Sequence, residues 1–156
     1  MELSCNETFD LISSSRYGVP DSSLTASSEY GGYPARASRL NSTTCWAANY
    51  NSPQPHWIYV DLGQDRVVNA VRTSSNRAGG YYVQRFTVST SRDGVNWSTI
   101  QENEEDVLFE GNDSPYAIVI NQLPAPIKTR YVRLNVVEWI GNRPGLLWAV
   151  DGCPVA

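Results

Sequence analysis

His56-Trp57-Ile58-Tyr59-Val60-Asp61-Leu62-Gly63 is the cleanest strand in the chain, β-branched and aromatic residues closed by a glycine stop. Ile58, Val60 and Leu62 alternate onto one face, and Trp57, Tyr59 and Asp61 take the other. An aspartate inside so apolar a strand needs a partner, because an unpaired buried carboxylate is costly. The expected partner is a strand arginine, Arg133 first. Just upstream, Cys45-Trp46-Ala47-Ala48-Asn49-Tyr50-Asn51-Ser52-Pro53-Gln54-Pro55 is too rich in Pro, Asn and Ser to be strand throughout. A rigid strand fed by an exposed, aromatic-bearing loop is a common way to build a binding site.

The same pattern repeats on both sides of this stretch. Residues 24–28 read as a first short strand after the turn at Val19-Pro20-Asp21, and 66–73 as a strand after Gly63. Residues 83–91 alternate, and Asp93-Gly94 marks a hairpin whose return begins at Trp97. Residues 107–109, 116–120, 130–138 and 146–150 are further strands, with Leu123-Pro124-Ala125-Pro126 breaking the run. Residues 35–41 are too short to read as a definite helix. Glu102, Glu104, Glu105 and Asp106 form an acidic run read as a solvated loop. About eight short strands at regular spacing, without a long helix, indicate an all-β sandwich. The 156 residues make one domain with room for a real core, running from about 5 to 153.

Between the strands lie glycine-rich tips that carry aromatic rings. They are Tyr30-Gly31-Gly32-Tyr33, then Arg77-Ala78-Gly79-Gly80-Tyr81-Tyr82, and Trp139-Ile140-Gly141-Asn142-Arg143. Of the tryptophans, Trp46, Trp57, Trp97 and Trp148 lie in or beside strands and are expected in the core; Trp139 starts a tip.

Charge and motifs exclude several functions. With 12 basic and 16 acidic side chains the net charge is −4, and no run of five basic residues exists. That argues against nucleic-acid partners and weakens attraction to anionic membranes. The one histidine, His56, abuts a strand, cysteine and histidine lack zinc spacing, and no phosphate loop leads into a helix. No enzyme activity, cofactor or metal site is expected. Four sequons, at Asn6, Asn41, Asn96 and Asn112, suggest a secreted chain. Three cysteines allow three pairings with one left over. Cys5 and Cys153 sit at the two ends and are the favoured pair; three reduced cysteines in a cytosolic protein are the plain alternative.

Several ordered blocks together resemble the discoidin, or coagulation factor V/VIII type C, domain family. They are Val19-Pro20-Asp21-Ser22-Ser23-Leu24-Thr25-Ala26-Ser27-Ser28, Ala37-Ser38-Arg39-Leu40-Asn41, the Trp57 to Gly63 strand, and the stretch from Ser89 to Trp97 with its S-x-D-G-x-x-W hairpin. Phe109-Glu110-Gly111-Asn112, Leu123-Pro124-Ala125-Pro126-Ile127, Arg130-Tyr131-Val132-Arg133-Leu134 and the closing Gly152-Cys153 complete the set. The resemblance implies an eight-stranded jelly-roll β-sandwich with its terminal cysteines bonded, secreted or on a cell surface, and a ligand held by loops at one end. Two departures stand out. The last strand carries Leu147 and Ala149 where the family usually has Arg and Glu. Ser38-Arg39 stands where sugar-binding relatives often place a calcium loop, so that site is not expected.

The candidate ligand-binding residues are Tyr30, Tyr33, Asn49, Tyr50, His56, Arg77, Tyr81, Tyr82, Trp139, Asn142 and Arg143. Three ligand classes fit them. A glycan or glycoprotein comes first: rings stack on a sugar while Asn49, His56, Arg77, Asn142 and Arg143 bond its hydroxyls. A protein or peptide held between Tyr30 and Tyr81 comes second. A phosphatidylserine membrane comes third, because Tyr and Gly tips favour the interface over the hydrocarbon.

Overall fold

Ile58, Val60 and Leu62 are buried in the computed structural model while Trp57, Tyr59 and Asp61 stay partly exposed, as the alternation requires. The structure describes residues 3–75 and 80–156. Its strands are β1 (Phe9–Asp10), β2 (Leu24–Ala26), β3 (Trp46–Ala47), β4 (Trp57–Ser74), β5 (Tyr82–Ser91), β6 (Ser98–Thr99), β7 (Gln101–Glu102), β8 (Glu105–Asp106), β9 (Phe109–Glu110), β10 (Val119–Ile140) and β11 (Gly145–Pro154). The only helical pieces among the described residues are 3-10 turns at Asp21–Ser23 and Ala35–Ser38.

Two pairs of expected strands are each one continuous strand. β4 runs through Gly63, and β10 absorbs Leu123-Pro124-Ala125-Pro126 as a register shift between Gln122 and Ile127. The prolines lie where β10 has no neighbour on one side, so their missing N–H groups break no ladder. Both long strands change partners halfway. The first half of β4 pairs with β2 and the second with β11. β10 pairs with β4 from Val119 to Asn135 and with β5 from Tyr131 to Ile140. One antiparallel sheet thereby folds over itself into the two layers of a jelly roll, with Ile58, Val60, Val71, Phe86, Leu134, Trp148 and Val150 between them. The corner of β4 lies at Gly63, whose φ of +85° suits glycine.

Asp61 sits at this corner. Its partner is Arg130, not Arg133: Arg130 Nε donates to Oδ1 at 2.8 Å and Nη2 to Oδ2 at 3.0 Å, and Gly63 N donates to Oδ1 at 2.8 Å. These bonds, Arg130's first, hold the Asp61 carboxyl below the usual carboxylate range. Arg133 turns to the tryptophans, 4.4 Å above the Trp97 ring and 5.8 Å from Trp57, and its Nε donates to Asn135 Oδ1 at 2.8 Å. Trp57 and Trp97 are therefore not core residues. They join Tyr59 and Tyr131 in an aromatic cluster on the outer face of the sheet, under the Asp93-Gly94 hairpin. Trp46 and Trp148 are core, fully buried, and Trp148 Nε1 donates to the buried Ser38 Oγ at 3.1 Å.

Leu147 and Ala149 are buried on the face of β11 turned away from the core cluster, so apolar packing replaces whatever a charged pair would do there. The acidic run is a small exposed hairpin, β7 to β8, turned by Asn103 and Glu104 at positive φ. Cys5 and Cys153 form a disulfide across 148 positions, and Cys45 is a buried thiol. Closing so long a loop stabilises the fold by about 5 kcal/mol in the chain-entropy account.

Candidate functional site

Three loops meet at one end of the sandwich because their backbones are tied together. Tyr30 N donates to Ala47 O at 2.8 Å, and Ala47 N to Tyr33 O at 3.2 Å. Ser28 binds the neighbouring loop twice: its carbonyl accepts Trp46 Nε1 at 2.9 Å and its Oγ accepts Asn49 N at 3.0 Å. The loop after β10 joins through Ala48 N, which donates to Pro144 O at 3.1 Å, and through the pairing of Gly145 with Ala47. Tyr81 lies against Gly141 and Gly145. A side chain at Gly141 would run into the Tyr81 ring, and its φ of +105° also demands glycine.

This framework cages Arg143. Its guanidinium carbon lies 3.6 Å from the Tyr30 ring centroid, 5.0 Å from Tyr50 and 5.7 Å from Tyr81. Tyr33 stacks on Tyr30 at 5.8 Å. Arg143 is 7% exposed, and its Nε is buried without a hydrogen-bond partner. Tyr50 stands at the rim, 54% exposed.

The remaining sequence-predicted residues divide. His56 is 4% exposed and lies edge-on to Trp139 at 5.4 Å, with Nδ1 buried and unpartnered. Burial lowers its pKa, which favours the neutral imidazole. It thus sits beneath the surface, under Trp139, rather than at the loop rim. Asn49 spends its Oδ1 on Asn51 N at 3.0 Å. Tyr82 belongs to β5 opposite Ile140, on the face away from the buried Val83. Asn142 is exposed, outside the cage. Arg77 lies outside the described residues. Sequence reading passed over Ser75, whose buried Oγ lacks a partner one residue beyond the Ser74–Leu147 pair. Nothing in Thr73-Ser74-Ser75 marks it.

The strands are arranged as a jelly roll, with aromatic side chains gathered around Arg143 at one pole. The model of the F5/8 type C domain matches residues 23–150, and the chain belongs to that family. Domains of this family are typically non-catalytic binding modules. Human (Homo sapiens) neuropilin-1 is 36% identical over 138 residues, 85% of this chain but 15% of that protein, so the chain corresponds to a small part of this relative. Discoidin II from Dictyostelium discoideum superposes with a TM-score of 0.74 at 19% identity, over 85% of this chain and 55% of its own. The family 32 CBM from C. perfringens NanJ, in complex with galactose, gives a TM-score of 0.67 at 19% identity, over 85% of this chain and 96% of its own. Among the described residues no helix is long and apolar enough to cross a membrane.

Proposed function

We propose that this domain is an extracellular, lectin-like adhesion module that binds a glycan or glycoprotein at the tyrosine-lined pole. The observation that carries this reading is Tyr50. Its ring is 54% exposed at the rim and stands beside a cage of hydroxyl-bearing tyrosine rings around an arginine. A sugar needs both: an apolar ring face to stack on and polar groups around it. The galactose bound by the structurally similar C. perfringens module is in keeping with a sugar here. The disulfide between Cys5 and Cys153 supports an oxidising, extracellular setting. The rim offers tyrosine and glycine to a membrane, and the chain is net acidic, which disfavours a phosphatidylserine surface.

A glycan array probed beside phosphatidylserine vesicles tests this. Glycan signals that Tyr50→Ala reduces are the expected result. A silent array with vesicle binding that survives high salt would remove the glycan reading.

A further inference from the structure

We infer that Arg143 is the anion-reading element of this site, and that the glycan it selects carries a carboxylate or sulfate group. This rests on the glycan reading above and narrows it.

The argument starts from what Arg143 lacks. Arg39, Arg72, Arg85, Arg92 and Arg130 each face a carboxylate. Arg143 is far more buried than a typical arginine, yet among the described residues no carboxylate pairs with it and its buried Nε has no hydrogen-bond acceptor. Arg66 also has an unpartnered Nε, but it is half-buried in the β4 strand, away from the tips. Ring faces attract a cation, but they offer no lone pair to its N–H groups. A guanidinium N–H withdrawn from water without an acceptor is costly. Here it is held in place all the same, by Pro144 in the tied backbone on one side and three rings around it.

The group is therefore pre-positioned for an acceptor that comes from outside. Carboxylate and sulfate match the planar fork of a guanidinium. The aromatic walls exclude water and strengthen that contact. The exposed Tyr50 ring, 5.0 Å from the guanidinium carbon, puts a stacking surface within one sugar's reach of the charge. Together they fit an acidic saccharide: a uronic acid, a sialylated sugar or a sulfated one.

The test is an array of matched pairs, each acidic oligosaccharide beside its neutral counterpart: uronic acid and methyl ester, sialylated and desialylated, sulfated and desulfated. The best pair is then titrated by calorimetry. The acidic member should bind about tenfold tighter or more. Raising salt from about 0.05 to about 0.5 M should shrink that ratio. Arg143→Gln should bring the ratio close to one, and Arg143→Lys should recover part of it. The salt series needs no substitution, so it stands even if Arg143→Gln fails to fold. Equal binding of acidic and neutral members, or a ratio unchanged in a folded Arg143→Gln, would overturn this inference while the glycan reading survived. A silent array would remove the glycan reading itself.

Discussion

Replacing Ser38 by Ala should destabilise this domain out of proportion to the single oxygen it removes. Ser38 and Trp148 are both fully buried, and the Trp148 Nε1 bond to Ser38 Oγ at 3.1 Å joins residues 110 apart in sequence. It fastens the 3-10 turn at Ala35–Ser38 onto β11. The indole N–H has no other acceptor among the described residues, and water cannot reach it. Losing Oγ therefore exposes the full desolvation cost of a buried donor, about 1–3 kcal/mol. For a domain of this size, 2 kcal/mol lowers the melting temperature by roughly 4–8 °C. Trp148→Phe removes the donor and also opens a cavity, so it should cost more. The double variant should then cost about 1 kcal/mol less than the sum of the two, because the stranded partner is gone. Urea unfolding followed by far-UV circular dichroism measures all three without relying on tryptophan fluorescence. A Ser38→Ala cost below about 0.5 kcal/mol, or strict additivity of the pair, would refute the reasoning.

Three further outcomes follow from the same coordinates. The Asp61 carboxyl is held below its ordinary value by Arg130, so the stability it contributes is present above about pH 4 and is lost as pH falls through the lowered folded value. Asp61→Asn and Arg130→Gln should both flatten the acid limb of stability against pH, and Arg133→Gln should not; equal slopes in all three would reject the pairing. Made through a secretory route, the chain should carry glycans at the exposed Asn6 and Asn41 but none at Asn112, which is 2% exposed. Asn112 donates Nδ2 to Ala117 O at 2.9 Å and accepts from Thr73 Oγ1 at 2.8 Å, so peptide mapping that finds it occupied on folded protein would contradict the structure. Gly141→Ala should lower the melting temperature, because a Cβ there meets the Tyr81 ring at a positive φ. Gly31→Ala, where a Cβ meets nothing within 4 Å, should be nearly neutral, and matching shifts would count against the packing described.

The sandwich was legible because its strands carry period-two alternation, which burial then obeys in 57–62. The merging of strands in β4 and β10 was not, since a proline pair reads as a break unless the neighbouring strand is known to be missing on that side. Trp57 and Trp97 misled for a related reason. A half-covered aromatic cluster on an outer sheet face has the same local sequence as a core. Arg130 and Arg133 were both available to Asp61, and the choice turned on the register shift between Thr129 and Tyr131. At the pole, the tyrosines announced themselves by sitting beside glycines. That Arg143 would be enclosed by them, and His56 submerged beneath Trp139, depends on ties among loops far apart in sequence, and no local pattern encodes those.

The disulfide also fixes how the domain bears tension. β11 begins at Gly145 among the tyrosine loops and ends at Pro154, about 30 Å away at the usual rise per residue. Cys153 lies near that far end and is bonded to Cys5. A pull on the chain outside these two cysteines passes straight across one covalent link. The strands between them, and the loops at the opposite pole, stay mechanically unloaded. Tension applied between the two termini therefore does not reach the tyrosine pole. Reduction of the one bond would reroute the same load through the hydrogen bonds of β1 and β11.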